Sequence, residues 1–293
     1  MDYISSNNIK LPKRAKNSKK GDNGKVLAVA GSKEYVGAVA LAGIAALRAG
    51  ADWVTVAAPE KVAWAINSLS ADLVTFKLKG NYISSNHYKK VKELEKKHDT
   101  LLIGNGIGLK KQTKILLKKI IKTAILKVID ADGIKLLSAQ ELKNSIITPH
   151  SGELKIFMEN SEISKKIINS ILAEKNIQKK TLLIKEALSK KKFFENSNVV
   201  LLKGRIDIVM SKNRTMFNRT GNEGMTKAGT GDVLAGLTAG FLAQSKDLFQ
   251  SAVNAAYFNG LIGNILLKKK KGFAYLASDM AAEIKNCKFF RQL

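Results

Sequence analysis

The chain has 293 residues, of which 45% are hydrophobic and only three are proline; this composition excludes a disordered protein and favours a globular one. The 50 Lys and Arg against 24 Asp and Glu give a formal net charge of +26, which attracts polyanions. The lysines are spread along predicted amphipathic helices, and no zinc-ligand or RNA-binding aromatic pattern accompanies them, so the charge does not favour dedicated nucleic-acid binding.

The sequence also limits where the protein works. The first residues lack the apolar core of a signal peptide, and no apolar run is long enough to span a bilayer. The single cysteine, Cys287, excludes an internal disulfide and suits a reducing compartment. We therefore expect a cytoplasmic protein that has no membrane partner.

The first half of the chain alternates short apolar runs with helical patterns. A polar lead-in, 1–19, with a frayed start, comes before the first of them. The expected elements that follow are strand 25–30, helix 38–49, strands 53–58 and 100–103, helix 110–122, and strands 126–129 and 145–148.

The second half continues in the same way. The lysine-rich span 161–198 is predicted to be helical, followed by strands 199–203 and 206–210 and helices 249–267 and 274–286. Strands that alternate with helices predict an α/β fold, a doubly wound, mostly parallel sheet with helices on both faces. No repeat or linker interrupts the pattern, so 1–293 is predicted to be a single domain.

A glycine-rich loop, 222–232, leads into a helix of small apolar residues that begins near Asp232. Gly224, Gly229 and Gly231 allow tight turns, and the free N–H groups at a helix start bind anions, most often phosphate. A carboxylate repels phosphate, so Asp232 needs another role here. It is either a base that deprotonates an attacking hydroxyl or an N-cap of the helix.

Polar or glycine clusters follow several of the predicted strands, where an open α/β sheet binds its ligands. Each cluster has an ordinary structural explanation as well. The aspartates and glycines could form turns, His150 could bond to backbone, Glu153 could favour a helix start, and Lys203 could be a solvated lysine. The clusters are Gly104/Gly106, Asp130/Asp132, His150/Glu153 and Lys203/Gly204.

Taken together, these segments resemble the NAD(P)H-hydrate dehydratases that use ADP or ATP, a branch of the ribokinase-like superfamily. The Gly229-Thr230-Gly231-Asp232 loop indicates the superfamily, and the Tyr35-x-Gly-Ala and Thr148-Pro-His-x-Gly-Glu segments narrow the resemblance to this branch. The resemblance implies a ribokinase-like three-layer sandwich, a lyase activity in nicotinamide nucleotide repair, and often a homotetramer.

The resemblance also implies roles for individual residues. Asp232 would be the catalytic base that acts on the C6 hydroxyl of the hydrate, and Glu153 is a candidate ligand of Mg²⁺. The hydrated nicotinamide nucleotide would contact Ala38, Gly106, His150 and Asp232. ADP or ATP would lie against Lys203, Gly204, Arg205, Ile206 and Asp207 and against Gly229, Thr230 and Gly231.

The sequence departs from the family's usual pattern at the loop after strand 100–103, near the nucleotide segment and in its domain content. Asn105 stands where the family usually has Pro, which is expected mainly to loosen the loop. The Asp207 carboxylate would disfavour a nearby phosphate unless it points away. An epimerase domain, often fused in this family, finds no room in the chain, so a separate NAD(P)H-hydrate epimerase is the expected pathway partner.

Alternative functions remain open at this point. A related kinase of a small vitamin-precursor alcohol would share the final loop and Asp232, and a basic nucleic-acid-binding protein could retain such loops without turnover. ADP is favoured over ATP as co-substrate only because stand-alone and prokaryote-like family members usually use it.

Overall fold

A computed structural model describes residues 1–287, so the end of the predicted domain, 288–293, lies outside the described residues. Nine strands form one sheet in the order β3-β2-β1-β4-β5-β6-β7-β8-β9. Their bounds are β1 Lys25–Val29, β2 Trp53–Pro59, β3 Val74–Leu78, β4 Thr100–Ile103, β5 Leu126–Ile129, β6 Ser145–Ile147, β7 Val199–Leu202, β8 Asp207–Met210 and β9 Thr215–Asn218.

The strands from β3 to β7 pair in parallel, and β8 and β9 are added antiparallel at the other edge of the sheet. Strand order reverses direction between β1 and β4, since β2 and β3 lie on one side of β1 and β4 on the other. Parallel strands present their carboxyl ends at one edge, and ligands bind there beside such a switch point.

Helices cover both faces of the sheet. The helix bounds are α1 Val36–Arg48, α2 Glu60–Leu69, α3 Tyr88–Glu95, α4 Lys111–Ile120, α5 Asp132–Leu136, α6 Ser151–Asn160, α7 Lys165–Ala173, α8 Ile177–Ser189, α9 Thr230–Ser245, α10 Leu248–Lys269 and α11 Ala277–Glu283. One apolar core lies under α1, α2 and α9–α11, and the other lies under α3–α8.

Side chains of the central strands alternate between these two cores. Val26 and Ala28 of β1 join the core under α9, whereas Leu27 and Val29 join the opposite one. Successive side chains of a strand point to opposite faces of the sheet. Because helices cover both faces, the buried strands are apolar at nearly every position. The predicted α/β fold with helices on both faces is confirmed.

The bounds of β4 and β5 match the predicted ones, and 161–198 contains the expected helices α7 and α8. The prediction gave no bounds for the helices α2, α3, α5 and α6 and missed the strands β3 and β9. The edge strand β3 has an exposed start at Val74 and carries Lys77, so it lacks the apolar run that marks a central strand.

The N-terminal segment was expected to have a frayed start, but the structure shows part of it packed against the sheet. The Ile4 amide donates to the Phe217 carbonyl at 2.8 Å, and Ile4 is buried. Further on, the Gln250 side chain donates to the Asn8 carbonyl at 2.9 Å. Part of the polar lead-in therefore packs against β9 and α10.

Candidate active site

The α9 helix begins at the glycine-rich loop. Gly229 is its N-cap, with φ of +92°, and Asp232 lies in the first turn. The first N–H groups of a helix have no acceptor within the helix, so the loop end presents free donors for an anion. Asp232 is not the N-cap, which removes that explanation of its carboxylate.

Gly224 does not belong to the same set of donors, although it was predicted with the other loop glycines. Its amide donates to the Asn222 side-chain oxygen at 3.0 Å, and the Tyr275 hydroxyl donates to the same oxygen at 2.6 Å. A Cβ at Gly224 would lie 2.7 Å from that hydroxyl oxygen, so the residue is a packing glycine.

A hydrogen-bonded network joins the ends of four strands, β4 to β7, to α9. The Asn105 side-chain nitrogen donates to Asp232 Oδ1 at 2.7 Å and to Asp130 Oδ2 at 3.0 Å. Asp130 Oδ1 accepts from the Thr148 hydroxyl at 2.7 Å and from the Lys203 ammonium at 3.0 Å. Since Asp130 is 2% exposed, the network is buried at its centre.

The environment of Asp232 suits a base. The pKa of its carboxyl is raised to about 6, mainly by burial and also by the carboxylates of Asp130 and Glu153, while the Asn105 hydrogen bond and the Lys203 charge act in the opposite direction. A carboxylate with a pKa near the working pH combines ionisation with a usable proton affinity. The arrangement can therefore accept a proton from a bound hydroxyl.

Lys203 lies between two acidic side chains. Its ammonium is 3.0 Å from Asp130 Oδ1 and 3.5 Å from Glu153 Oε2, and its side chain is 20% exposed. Burial alone lowers the pKa of this ammonium, but the two carboxylates outweigh it and raise the pKa above its ordinary value. A permanently charged lysine results. A Cβ at Gly231 would lie 3.4 Å from its nitrogen, which places the charge beside the loop.

His150 caps α6. Its Nδ1 atom accepts from the Gly152 amide at 3.0 Å and from the Glu153 amide at 3.4 Å, so the ring is bonded to backbone. Its side chain nevertheless stays 59% exposed, and Nε2 lies 3.5 Å from Glu153 Oε1. Because Nδ1 accepts, Nε2 carries the ring proton and can donate to a ligand.

Gly106 lies against the start of α1. A Cβ there would come within 2.5 Å of the Tyr35 Cβ and 3.4 Å of the Ala38 Cβ, and its φ is +64°. Ala38 and Gly106 are thus neighbours in space, and Gly106 follows Asn105 in the chain, while Tyr35 is 59% exposed. Because Asn105 donates a hydrogen bond to Asp232, the corner formed by Ala38 and Gly106 lies close to the Asp232 carboxylate.

The turn between β7 and β8 contains the predicted nucleotide segment. Asp207 accepts from the Gly204 amide at 3.0 Å and from the Asn218 side chain at 3.0 Å, so its carboxylate is engaged within the turn. Burial raises the pKa of Asp207 to about 6. Arg205 is exposed and Ile206 packs at the edge of the core under α3–α8.

Within residues 1–287, no group of three or more His, Cys, Asp or Glu side chains is arranged to ligate a metal. Magnesium in phosphoryl-transfer sites is commonly held by one or two carboxylates, nucleotide phosphates and water. The donor set thus fits a magnesium ion carried mainly by a nucleotide, and not an all-protein metal site.

Sequence reasoning placed Asp232, Lys203, Gly231, His150 and Glu153 in one region, and the structure brings them together. It did not predict that Asn105 bonds to Asp130 and Asp232, because Asn105 was expected only to loosen its loop. It also did not decide whether Asp130 has a functional role or only forms a turn. The available signal was an asparagine between two glycines, Gly104 and Gly106, directly after an apolar strand. Asp132 instead accepts from the Gly108 amide and pairs with Lys135.

Comparison with known proteins decides the family. The model of the NAD(P)H-hydrate dehydratase family matches residues 26–286. The chain belongs to the NAD(P)H-hydrate dehydratase family. It is 33% identical over 258 residues to the ADP-dependent (S)-NAD(P)H-hydrate dehydratase of Cenarchaeum symbiosum, covering 86% of this chain and 84% of that protein.

The chain is also 38% identical over 280 residues to the bifunctional NAD(P)H-hydrate repair enzyme of Methanothermobacter thermautotrophicus, covering 93% of this chain. It spans about half the length, 51%, of that curated relative. A solved ADP/ATP-dependent NAD(P)H-hydrate dehydratase of Bacillus subtilis, co-crystallised with ATP and Mg²⁺, superimposes with a TM-score of 0.74 at 23% identity, over 96% of this chain and 94% of that one. This last likeness shows the shared ribokinase-like fold.

Proposed function

We propose that this family member repairs hydrated nicotinamide nucleotides, converting the S-form of NAD(P)H hydrate to NAD(P)H at the expense of ADP or ATP. The observation that carries the proposal is the Asp232 carboxylate in the first turn of α9, beside Gly229–Gly231 and with its pKa raised to about 6. That placement unites a base with a phosphate-binding helix start, as phosphoryl transfer to a hydroxyl requires.

The nucleotide is proposed to lie with its terminal phosphates over Gly229, Thr230 and Gly231. Lys203 supports this position because its charge lies beside Gly231. The turn of Gly204, Arg205, Ile206 and Asp207 continues from Lys203. Since the Asp207 carboxylate is held by Gly204 and Asn218, it does not oppose a phosphate in the way that its sequence position suggested.

The hydrated nicotinamide is proposed to lie between Asp232 and the corner formed by Ala38 and Gly106. The exposed side of the His150 ring, whose Nε2 carries the proton, is available to the same ligand. In this position the ligand would contact the four predicted residues, Ala38 in α1, Gly106 after β4, His150 after β6 and Asp232 in α9.

The chemistry follows from leaving-group ability. Asp232 takes the proton of the C6 hydroxyl, the oxygen attacks the terminal phosphorus, and the bond from that phosphorus to the nucleotide's bridging oxygen breaks. The C6–O bond then breaks, phosphate leaves in place of the poorer hydroxide, and loss of a proton from C5 restores the ring double bond. ADP would give AMP and phosphate, and ATP would give ADP and phosphate.

Magnesium is proposed to arrive with the nucleotide and would neutralise charge on the transferring phosphoryl group. Glu153 is the candidate protein ligand. Its Oε2 atom accepts from the His150 amide at 2.9 Å, so a metal would use Oε1, which lies 3.5 Å from His150 Nε2.

The remaining features of the proposal rest on the family resemblance. They are a homo-oligomer, a tetramer in related enzymes, a cytoplasmic location, a single domain over 1–293 and an NAD(P)H-hydrate epimerase as the pathway partner that supplies the S-form. The location is supported by Cys287, a buried free thiol that suits a reducing compartment. Among the described residues, none of the helices has the length and apolarity needed to cross a bilayer.

Product analysis tests the function. The protein is incubated with Mg²⁺, the hydrate and either ADP or ATP, and NADH, nucleotide and phosphate are quantified. Equal amounts of NADH, phosphate and dephosphorylated nucleotide are expected. A stable phosphorylated alcohol in place of NADH would overturn the proposal and identify a small-alcohol kinase, an alternative that the comparisons do not favour.

A further inference from the structure

Asn105 occupies an unusual position in the network. Its side chain is fully buried, and its single amide nitrogen donates to two carboxylates, Asp232 at 2.7 Å and Asp130 at 3.0 Å. An amide flanked by two carboxylates has to present its nitrogen to them, since carboxylates only accept while ionised. The orientation of the amide is therefore determined by its neighbours.

The amide oxygen of Asn105 has no hydrogen-bond partner and is buried. An orphan acceptor of this kind is unfavourable for folding, because it has lost water without gaining a donor. An apolar residue or a proline would avoid that cost. The chain thus keeps a polar side chain where packing alone gives no reason for it.

We propose that Asn105 is a positioning residue that holds the Asp232 carboxylate, as the acceptor of a fixed side-chain hydrogen bond, in the orientation needed to deprotonate the substrate hydroxyl. The inference rests on the proposed function and deepens it. Asn105 touches Asp232 and not the reacting atoms, so it acts through the base.

The backbone around Asn105 supports this role. The Asn105 carbonyl accepts from the Gly31 amide at 2.9 Å, which fixes the loop after β4 to the end of β1. On its C-terminal side, Gly106 is wedged against Tyr35. Because both sides of the loop are held, the side chain gives Asp232 a fixed partner.

Removal of the amide changes the balance of charges around Asp232. The groups that face it are Asp130 after β5, Glu153 in α6 and Lys203 after β7. The hydrogen bond from Asn105 favours the ionised carboxylate, so its loss leaves the two like charges opposed mainly by Lys203. The carboxyl should then titrate at higher pH.

The test compares wild type with Asn105→Leu and Asn105→Pro. We expect the acid limb of the kcat profile to move to higher pH by about one unit, so that kcat well below the pKa falls about tenfold, while the KM for nucleotide stays unchanged. Proline is the informative replacement, because a residue that only loosened the loop would leave kcat intact when replaced by Pro.

Asn160→Leu is the matched control. Its amide also donates to two acceptors, the carbonyls of Lys135 and Leu137, but lies away from the network. This variant should keep the wild-type pH profile. An unchanged profile in both Asn105 variants, with Asp232→Asn inactive, would overturn the inference and leave the proposed function standing.

A second readout does not depend on turnover. The Asp232 carboxyl can be titrated by ¹³C NMR in wild type and in Asn105→Leu, with folding verified by amide spectra. A higher pKa in the variant supports the inference even if the hydrate is not the substrate. Equal pKa values in the two proteins would contradict it.

Discussion

The Lys203 ammonium lies 3.0 Å from Asp130 Oδ1, joining residues 73 positions apart in the chain. It also faces Glu153 Oε2 at 3.5 Å. Buried carboxylates are tolerated when a charge compensates them. One lysine thus pairs with two carboxylates while its own charge lies next to the loop of α9.

Lys203→Met should therefore damage both stability and binding. Breaking a buried pair from one side leaves uncompensated charge, at a cost of about 3–5 kcal/mol in the free energy of unfolding. Nucleotide affinity should fall as well. Denaturant titration and nucleotide binding measure the two effects.

Lys190→Met serves as the control, because Lys190 pairs with Glu186 at 2.6 Å on an exposed helix surface. Because the pair is exposed to solvent, that change should leave the free energy of unfolding almost unchanged. Similar losses in the two variants would show that burial does not set the strength of the Lys203 pair.

Gly231→Ala should separate binding from folding. A Cβ at Gly231 meets only the Lys203 nitrogen, at 3.4 Å, so the fold should accept it. The added methyl lies where a phosphate is proposed to approach the α9 start, so we expect the nucleotide Kd to rise at least about tenfold, or ~1.4 kcal/mol. Calorimetric titration with ADP and ATP measures it.

Gly229→Ala provides the contrast. Its φ of +92° and the Ala277 Cβ and Leu41 Cδ1 atoms, each 2.8 Å from the added Cβ, make alanine strained there. Stability should fall by about 1–3 kcal/mol. Unaltered nucleotide binding by Gly231→Ala would place the phosphates elsewhere.

The pH dependence of stability should report on Asp232. Its folded-state pKa of about 6 lies above the ordinary value of an aspartate, so the folded state binds the proton more tightly than the unfolded chain does. The resulting stability is present below pH 4 and is lost as pH rises through 6. Asp232→Asn cannot ionise and should be more stable than wild type at pH 8, by about 1–2 kcal/mol after solvent screening, but not at pH 4.

Urea denaturation at the two pH values measures this difference. Asp72→Asn, at an exposed aspartate, is the control and should show no such pH-dependent gain. A stability loss in Asp232→Asn at pH 8 would mean that the ionised carboxylate is favoured by its surroundings, contrary to the burial that the structure shows.

The rate of turnover should follow the same ionisation. Since the base is active only when ionised, kcat should fall below about pH 6, tenfold per unit of pH, with Asp232 pKa at about 6. A steady-state pH profile measures the midpoint. A midpoint near pH 4 would indicate that the limiting group is a carboxyl of ordinary pKa.

Local pattern was sufficient for much of the fold. β4 is a short apolar run that ends at Gly104, and β5, apart from Lys127, is another that ends at Asp130, so the end of each strand is marked locally. β3 escaped because an edge strand mixes exposed and buried positions and carries Lys77. Its assignment depends on pairing with β2, which no local window contains.

The site was only partly predictable, for a similar reason. Gly229, Gly231 and Asp232 lie within four residues of one another, so the local sequence is enough to predict a helix start there. The contact from Asn105 to Asp232 spans 127 positions, and the direction of the Asp207 carboxylate is decided by Asn218 across the hairpin of β8 and β9. Side-chain partners that come from other strands follow from tertiary packing and not from spacing.

The most direct measurement follows the near-ultraviolet absorbance of NADH after Asp232→Asn is mixed with Mg²⁺, nucleotide and S-form hydrate, with nucleotide binding verified separately. Asparagine keeps an acceptor for the Asn105 amide but cannot take the hydroxyl proton. If Asp232 is the base, we expect normal nucleotide binding and a rate of NADH recovery at least about 10²-fold below wild type. Recovery at the wild-type rate would show that Asp232 is not the base.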